Sequence, residues 1–378
     1  MSPPGLAILG AGIFAKEAHL PALASLGNSA VELKAVYSRS EKSAKELAQE
    51  AQEVLKLSVL PSVYHDGDQN ADLDSLLARS DITAVIVVLP IATQPAIIRK
   101  ALAADKHVLS EKPVAPDVAS GLELIAEYNS KYKPKGLVWR VAENYEVEPG
   151  YQAAGKVVRA GKIGKVTCYN ARVVNHVSKD SKWYKTPWRT VPDYQGGFLL
   201  DGGVHTIAAL RVMLPSPLVS LSGYASLNQE HLPPHDTINV AVKSEDGSHG
   251  LVELTWGAPT PSRSSLAGNS ISITGSDGWI SITQGKAKDV NGDEYNAFRI
   301  VVRTVKKDEK GGVIGETEEV IEERVQGVEL ELKSFLAAIA ASDDGFGDPF
   351  DALKDVAFIQ AGLESNGNPV DLVKLVQQ

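Results

Sequence analysis

The chain has one cysteine, Cys168, among its 378 residues. A single cysteine excludes an internal disulfide and any metal site built from several thiolates. Because it lies in a strand-like segment, we expect Cys168 to pack as a small residue rather than to act as a nucleophile. No apolar run approaches the roughly 20 residues that a membrane span requires. We therefore expect neither a disulfide-stabilised fold nor a membrane protein.

The chain also has fewer basic side chains than acidic ones. The net charge of −9 argues against a nucleic-acid partner, although a local basic pocket for a phosphate is compatible with it. The first residues, Met1–Gly5, lack the basic and apolar regions of a signal peptide, and the carboxyl-terminal residues do not form a peroxisomal or retention signal. The expected location is cytoplasmic.

The order of apolar segments predicts an α/β protein. Up to about residue 142, short strand-like runs alternate with helical patterns, which is typical of a Rossmann-type, doubly wound parallel sheet. From about residue 165, longer alternating strands indicate a mostly antiparallel sheet in an α+β domain. We assign residues 1–142 to a dinucleotide-binding domain and residues 143–378 to a substrate and oligomerisation domain. The polar stretches Gly285–Asn296 and Lys306–Glu316 are predicted to be turns between exposed strands.

A glycine-rich turn follows the first predicted strand. Gly10 permits the tight turn, and Gly12 keeps side chains out of the path of a pyrophosphate. The amides at the start of the next helix, around Ile13 and Phe14, are then expected to bind the phosphate. The alternative is a glycine-rich turn with only a structural role.

The second strand ends in Ser38-Arg39-Ser40, where NAD-preferring folds usually carry a carboxylate. An arginine pairs instead with a 2′-phosphate, hydroxyl groups donate to its oxygens, and Lys42 adds positive charge. The segment therefore predicts NADP(H) as the cofactor. A second interpretation is that the serines cap the helix that begins near Glu41, and the two roles are compatible.

Two further segments carry groups suited to proton transfer. Lys112 follows a predicted strand and precedes Pro113, so that its ammonium could stabilise a developing alkoxide. Asp201 and His205 are four residues apart and share one face of a helix, and the imidazole of His205 has a pKa suited to acid and base work near neutral pH. Taken singly, the pair could be a capped helix start and Lys112 a surface lysine. No third ligand accompanies Asp201 and His205 at a suitable spacing, so we expect no metal site.

These motifs together resemble the glucose-fructose oxidoreductase, inositol dehydrogenase and rhizopine-catabolism (Gfo/Idh/MocA) family over nearly the whole chain. The resemblance rests on the glycine turn, Lys106–Pro113, Gly161–Gly164, Trp188-Arg189 and the Asp201 to His205 segment. It implies that Lys112 lies beside the nicotinamide and that Asp201 and His205 act on a substrate hydroxyl. It also implies an open-faced, mostly antiparallel second sheet that forms a homodimer or homotetramer.

The chain departs from the family pattern after the fourth strand. Pro90 is followed by Ile-Ala-Thr-Gln94 instead of a nearby Asn and His, so contacts with the nicotinamide are expected to differ. The remaining cofactor-binding residues that we predict are Leu89, Pro90, Gln94, Glu111 and Pro113.

The segment Ala142–Glu146 resembles a fungal NADP-linked branch of the family. The predicted substrate residues lie there and in the loop that follows the first strand of the second domain: Asn144, Tyr145, His176, Trp188 and Arg189. The aromatic residues of that loop are equally compatible with ordinary packing. His19 and His107 are expected to be structural.

The sequence thus predicts an NADP(H)-dependent oxidoreductase that transfers a hydride between the nicotinamide and a hydroxyl or carbonyl carbon of a sugar, polyol or related small molecule. The alternatives are a non-catalytic regulator that senses NADP, and a lyase or glycosidase that uses transient redox of the cofactor.

Overall fold

The computed structural model describes residues 3–377, apart from the side chains of residues 266 and 267. The chain divides into two compact units. The first contains the chain up to Asn144 and the later segment Val328–Leu353, and the second contains Tyr145–Gly327 and the residues from Lys354 onward. The unit that holds the predicted dinucleotide-binding domain therefore also takes in a segment that is remote in sequence. Between residues 3 and 377, no helix is both long enough and apolar enough to cross a membrane.

The first unit is built on a six-stranded parallel sheet with the strand order β3-β2-β1-β4-β5-β6. Its central strands are buried along their length, as expected of parallel strands covered on both faces. The strands are β1 Gly5–Leu9, β2 Glu32–Tyr37, β3 Ser62–Tyr64, β4 Ala84–Val87, β5 His107–Glu111 and β6 Trp139–Ala142. The predicted doubly wound sheet is confirmed.

Helices alternate with these strands. A π-helical turn, Ala15–His19, leads into α1 Leu20–Leu26, and the chain continues through α2 Glu41–Val54, α3 Leu73–Leu77, α4 Gln94–Ala103 and α5 Val118–Glu127. A second π-helical turn, Tyr128–Tyr132, and a short 3₁₀ segment, Lys133–Lys135, precede β6. Much later, α11 Gly327–Ile339 adds Leu332 and Phe335 to the apolar core around β1.

The second unit contains a nine-stranded sheet with the order β14-β13-β12-β11-β7-β10-β9-β8-β15. Neighbouring strands are antiparallel except for β7 and β10, so the sheet is mixed but mostly antiparallel, as predicted. The strands are β7 Val166–Val174, β8 Leu218–Ser226, β9 Thr237–Ser244, β10 His249–Thr255, β11 Ser270–Gly275, β12 Gly278–Lys288, β13 Glu294–Lys307, β14 Val313–Arg324 and β15 Val370–Asp371.

The remaining helices are α6 Asn144–Val147, α7 Pro149–Arg159, α8 Pro187–Thr190, α9 Phe198–Met213, α10 Pro261–Ala267, α12 Pro349–Glu364 and α13 Leu372–Leu375. Along β9, buried Ile238, Val240 and Val242 alternate with exposed residues, which shows that one face of the sheet is packed and the other is open.

The two predicted polar turns are shorter than expected, because β12, β13 and β14 form a long charged ribbon. Most of Gly285–Asn296 and part of Lys306–Glu316 belong to strands, and the prediction missed β14. Glutamates dominate β14, so it lacks the hydrophobic alternation that indicates a strand. Cross-strand contacts such as Arg303 to Glu318 over 2.7 Å and Thr304 to Thr317 over 2.6 Å hold it instead.

Candidate functional site

The glycine turn lies where the strand order reverses, between β1 and β4. Open parallel sheets bind ligands at such a point. Gly10 has a φ of +118°, and a Cβ there would lie 2.0 Å from the carbonyl oxygen of Val88, so only glycine fits. A Cβ at Gly12 would meet nothing within 4 Å, and the backbone there faces open space. Such a cradle fits a dinucleotide pyrophosphate.

At the end of β2, Ser40 caps α2, because its Oγ accepts a hydrogen bond from Ser43 N over 3.2 Å. Arg39 and Lys42 are exposed beside this cap, and Lys42 also approaches Glu46 at 3.9 Å. The structure therefore agrees with the interpretation that Ser40 caps α2, and the side chains of Arg39 and Lys42 remain exposed.

A carboxylate that the sequence argument overlooked lies near this strand end. The hydroxyl of Tyr37 donates to Asp66 Oδ1 over 2.5 Å. Burial and the neighbouring Asp66 carboxylate raise the pKa of Tyr37 well above its usual value, so the phenol stays protonated and keeps donating. Asp66 is 29 residues from Tyr37, and no motif in the sequence pointed to it.

Gln94 opens α4, after Leu89 and Pro90 at the end of β4. Its side chain is 1% exposed, and neither its amide oxygen nor its amide nitrogen makes a hydrogen bond to any residue from 3 to 377. Burying an amide without partners costs free energy. A polar ligand group would satisfy it, which fits the predicted contact with a cofactor.

Lys112 follows the last residue of β5, Glu111, and the Lys112-Pro113 peptide bond is cis. Glu111 is buried, and its Oε1 lies 2.6 Å from Nε2 of the fully buried His19. The structure therefore places Glu111 against a histidine of the first unit. The sequence offered no sign of this pairing, because 92 positions separate the two residues.

In the second unit, Asp201 and His205 lie one turn apart on α9, as the spacing predicts. The glycines between them bring α9 close to its neighbours. A Cβ at Gly202 would lie 2.3 Å from Cζ2 of Trp256, which follows β10, and a Cβ at Gly203 would lie 2.8 Å from Ile359 Cδ1. Close packing against the Trp256 ring thus favours glycine at position 202, and Gly203 packs against the Ile359 side chain of α12, both at the known cost to the helix.

Asp201 is held by the loop that precedes α9. Its carboxylate accepts a hydrogen bond from Arg189 Nε over 2.7 Å, and only 13% and 11% of the Arg189 and Asp201 side chains are exposed. The guanidinium carbon lies 4.0 Å from the ring centre of Trp188 and 5.1 Å from that of Trp183. The rings of Trp183 and Trp188 therefore pack against the guanidinium of the Arg189 to Asp201 ion pair.

His205 lines a cavity of about 260 Å³ in the second unit. Its ring stacks on Tyr145 at 4.7 Å, Tyr145 lies 5.2 Å from Tyr151, and Tyr151 lies 4.7 Å from Phe298. Tyr151 and Phe298 come from α7 and β13 and were not predicted.

The other walls of this cavity are mostly neutral. Asn175, Asn269 and Gln284 supply amides, and Arg172 lies 2.7 Å from Glu253. Among the described lining residues, Arg172 is the one lysine, arginine, aspartate or glutamate.

Not all of the predicted substrate residues line this cavity. His176 Nδ1 lies 2.7 Å from the carbonyl oxygen of Ala258, and neither His176 nor Trp188 is among the described residues that line the cavity. Asn144 is the last residue of its segment of the first unit. Of the predicted substrate residues, Tyr145 is the one that the structure brings to His205, while Arg189 contacts Asp201.

Comparison with known proteins places both parts of the chain in one family. Residues 5–134 match the oxidoreductase family model for the NAD-binding Rossmann fold, and residues 151–281 match the GFO/IDH/MocA C-terminal domain. The chain belongs to the Gfo/Idh/MocA family of oxidoreductases. The resemblance inferred from the sequence motifs is confirmed.

Individual Gfo/Idh/MocA relatives agree with this assignment. Dehydrogenase FPY6 from Fusarium mangiferae is 38% identical over 371 residues, which are 96% of each chain. The scyllo-inositol 2-dehydrogenase (NAD(+)) of Bacillus subtilis is 27% identical over 188 residues, 49% of this chain and 52% of the relative. The crystal structure of an oxidoreductase from Thermotoga maritima superposes with a TM-score of 0.81 at 29% identity and covers 99% of both chains.

Proposed function

We propose that the protein is an NADP(H)-dependent oxidoreductase that transfers a hydride between the nicotinamide and a hydroxyl or carbonyl carbon of a sugar, polyol or related small molecule. The observation that carries this proposal is the open backbone at Gly12, at the point where the order of the parallel strands reverses. The buried amide of Gln94 supports a polar ligand at the same edge of the sheet. When bound, the nicotinamide supplies or accepts the hydride.

The preference for NADP(H) over NAD(H) rests on the end of β2. No carboxylate occupies residues 38–40, and exposed Arg39 and Lys42 are suited to a 2′-phosphate. Asp66, the nearby carboxylate, already accepts the hydrogen bond of Tyr37. Family membership alone leaves the choice open, since the name of the Bacillus relative specifies NAD(+).

Two residues, His205 and Lys112, carry the proposed proton and charge chemistry. His205, at the wall of its cavity, exchanges the proton of the substrate hydroxyl, and Lys112 stabilises the charge that develops on that oxygen. Asp201 acts as a positioning group, because its carboxylate is engaged by Arg189.

The cavity beside His205 supports a small, hydroxyl-rich substrate. Aromatic rings on one side are suited to pack against the apolar face of a sugar or cyclic polyol, and the neutral amides are suited to hydrogen-bond its hydroxyl groups. Two relatives have names that specify a cyclic polyol or a sugar derivative: the inositol dehydrogenase described above, and a dTDP-3,4-didehydro-2,6-dideoxy-alpha-D-glucose 3-reductase that is 37% identical over 151 residues.

We also propose a cytoplasmic homodimer or homotetramer that assembles through the open face of the second sheet. Tyr224 on β8 and Leu251 on β10 expose 66% and 60% of their surface, and large apolar side chains on an open sheet favour association.

The proposal is tested with the purified protein and NADPH against a panel of ketoses, keto-inositols and other carbonyl compounds, and with NADP⁺ against the corresponding alcohols. We expect at least one compound to be turned over with one equivalent of cofactor oxidised or reduced. The Lys112→Met variant should lose that activity by about 100-fold, since it removes the cation and keeps most of the length of the side chain. Turnover without net change in the cofactor would favour the lyase or glycosidase alternative.

A further inference from the structure

His19 and Glu111 form a buried polar contact inside the first unit. The imidazole is fully buried, Glu111 is 7% exposed, and Nε2 lies 2.6 Å from Oε1. The ring of Phe14 packs edge-on against the imidazole, with centroids 5.4 Å apart. The His19 ring is therefore oriented by two contacts, one with Glu111 and one with Phe14.

A third side chain joins them. One ligand atom from each of His19, Glu111 and Glu331 lies within 4.8 Å of the other two, and Glu331 on α11 is 5% exposed. A tetrahedral zinc ion bound by both His19 Nε2 and Glu111 Oε1 does not fit the distance between these two atoms. Two donors on a tetrahedral zinc ion are about 3.3 Å apart, whereas the 2.6 Å contact has the length of a hydrogen bond.

Stability alone does not account for such a cluster. Replacing buried polar and ionisable groups by apolar side chains of similar volume is often neutral or stabilising, because burial removes these groups from water. Apart from Glu111 and Glu331, the core of this unit near His19 is apolar, and Leu20 and Leu23, nearby in sequence, are both buried.

The position of the contact indicates what it does. His19 ends the π-helical turn that follows the glycine turn, and Glu111 ends β5 and is bonded through its backbone to Lys112. The contact therefore connects the segment that would hold the pyrophosphate with the residue that precedes Lys112. A displacement of about 1 Å at a reacting group costs up to about 100-fold in rate, so fixing the backbone next to Lys112 has a catalytic consequence.

We infer that His19 is a positioning residue, which acts through Glu111 to fix the Lys112 ammonium in its working orientation. The catalytic part of this inference rests on the role proposed above for Lys112. The structural part, that His19 controls the freedom of Lys112, does not depend on it.

The first test measures that freedom directly. The protein is pulse-labelled with acetic anhydride, and the acetylation rate of Lys112 is read by peptide mass spectrometry relative to Lys100, a half-exposed lysine on α4. We expect His19→Leu to raise the relative rate at Lys112 by about threefold or more, because a loosened side chain samples reactive orientations more often. Glu111→Ala should do the same, and His19→Gln, which keeps a donor toward Glu111, should restore most of the wild-type rate.

His107→Leu is the matched control. His107 lies at the opposite end of the same strand, and its Nδ1 accepts a hydrogen bond from Val138 N over 3.0 Å. The His107→Leu variant should leave the acetylation rate of Lys112 unchanged even if the substitution lowers the free energy of unfolding. An unchanged rate in His19→Leu and Glu111→Ala, or an equal rise in His107→Leu, overturns the inference.

The second test uses the compound that the panel identifies. His19→Leu should lower kcat by about tenfold or more while the Kd for NADPH and the KM stay within about twofold, and His19→Gln should recover most of kcat. A loss confined to KM or to NADPH affinity contradicts positioning of Lys112. If labelling changes but no compound is turned over by the wild type, His19 positions Lys112 and the proposed function fails.

Discussion

Arg189 donates a hydrogen bond from Nε to Asp201 Oδ2 over 2.7 Å, while its guanidinium lies against the face of Trp188. The resemblance implies that Asp201 acts with His205 on the substrate hydroxyl, and this pairing supports a positioning role for the Asp201 carboxylate. A carboxylate that already accepts from a buried guanidinium is a poor base, because taking a proton would break the ion pair. We therefore propose His205 as the acid and base, with Asp201 as a positioning group.

Removing Arg189 should take its guanidinium away from the buried carboxylate of Asp201. We expect Arg189→Ala to lower the free energy of unfolding by about 3 kcal/mol. Adding Asp201→Asn should recover a substantial part of that loss, since the uncompensated charge is then gone. Urea denaturation of the two single variants and the double variant measures the coupling, and strictly additive effects would show that the pair is not coupled.

His205→Asn should lower kcat by about 100-fold or more, because the variant removes the group that exchanges the proton. The affinity for NADPH should stay within about twofold. His249→Asn is the control, since His249 is an exposed histidine of the same unit at the start of β10. Steady-state kinetics with the compound found in the panel would contradict the assignment if the two variants behaved alike.

Glu148 should make stability depend on pH. Its carboxylate is buried, accepts hydrogen bonds from Gln326 N and Gly327 N over 2.9 Å each, and burial raises its pKa from 4.5 to about 7. The folded state therefore binds more protons than the unfolded state between these two values, so stability falls as the pH rises through that window. The loss is at most about 3 kcal/mol.

Glu148→Gln is the variant that isolates this effect. Its single amide oxygen still accepts from one of the two backbone amides, and the side chain does not titrate. Urea denaturation between pH 4 and pH 8 should show a flatter pH dependence in the variant, and an identical slope in both proteins would show that Glu148 does not titrate in this range.

Gly12→Ala should separate cofactor binding from folding. The added methyl group meets no atom of the described chain within 4 Å, so we expect the free energy of unfolding to change by less than about 1 kcal/mol. Affinity for NADPH should fall by about tenfold or more, because the methyl group blocks the approach of a pyrophosphate to the backbone. Gly285→Ala is the control, as it also meets nothing within 4 Å but lies on β12.

Much of the fold was predictable because the buried parallel strands carry apolar runs. The glycines at 10, 202 and 203 also indicated tight turns or close packing, and a Cβ at each of these positions would lie within 3 Å of a neighbouring atom. The strand β14 was not predictable in the same way, because cross-strand charge pairs with β13 replace the apolar pattern.

The contacts around the candidate site are the part that the sequence could not supply. Tyr151 and Phe298 meet from α7 and β13, and His19 meets Glu111 from a distant segment. Each residue is ordinary in its local context, and only the folded chain brings the partners together. The Asp201 and His205 pair was visible because both lie on one helix, where spacing fixes the shared face.

The central claim is tested most directly by titrating the protein with NADPH and with NADH while following nicotinamide fluorescence. We predict micromolar or tighter binding of NADPH, much weaker binding of NADH, and about tenfold or greater loss of NADPH affinity in Arg39→Ala. Arg299→Ala, which removes an exposed arginine on β13, should leave the affinity unchanged. Preference for NADH would contradict the cofactor assignment, and binding of neither nucleotide by the folded protein would contradict the proposed function itself.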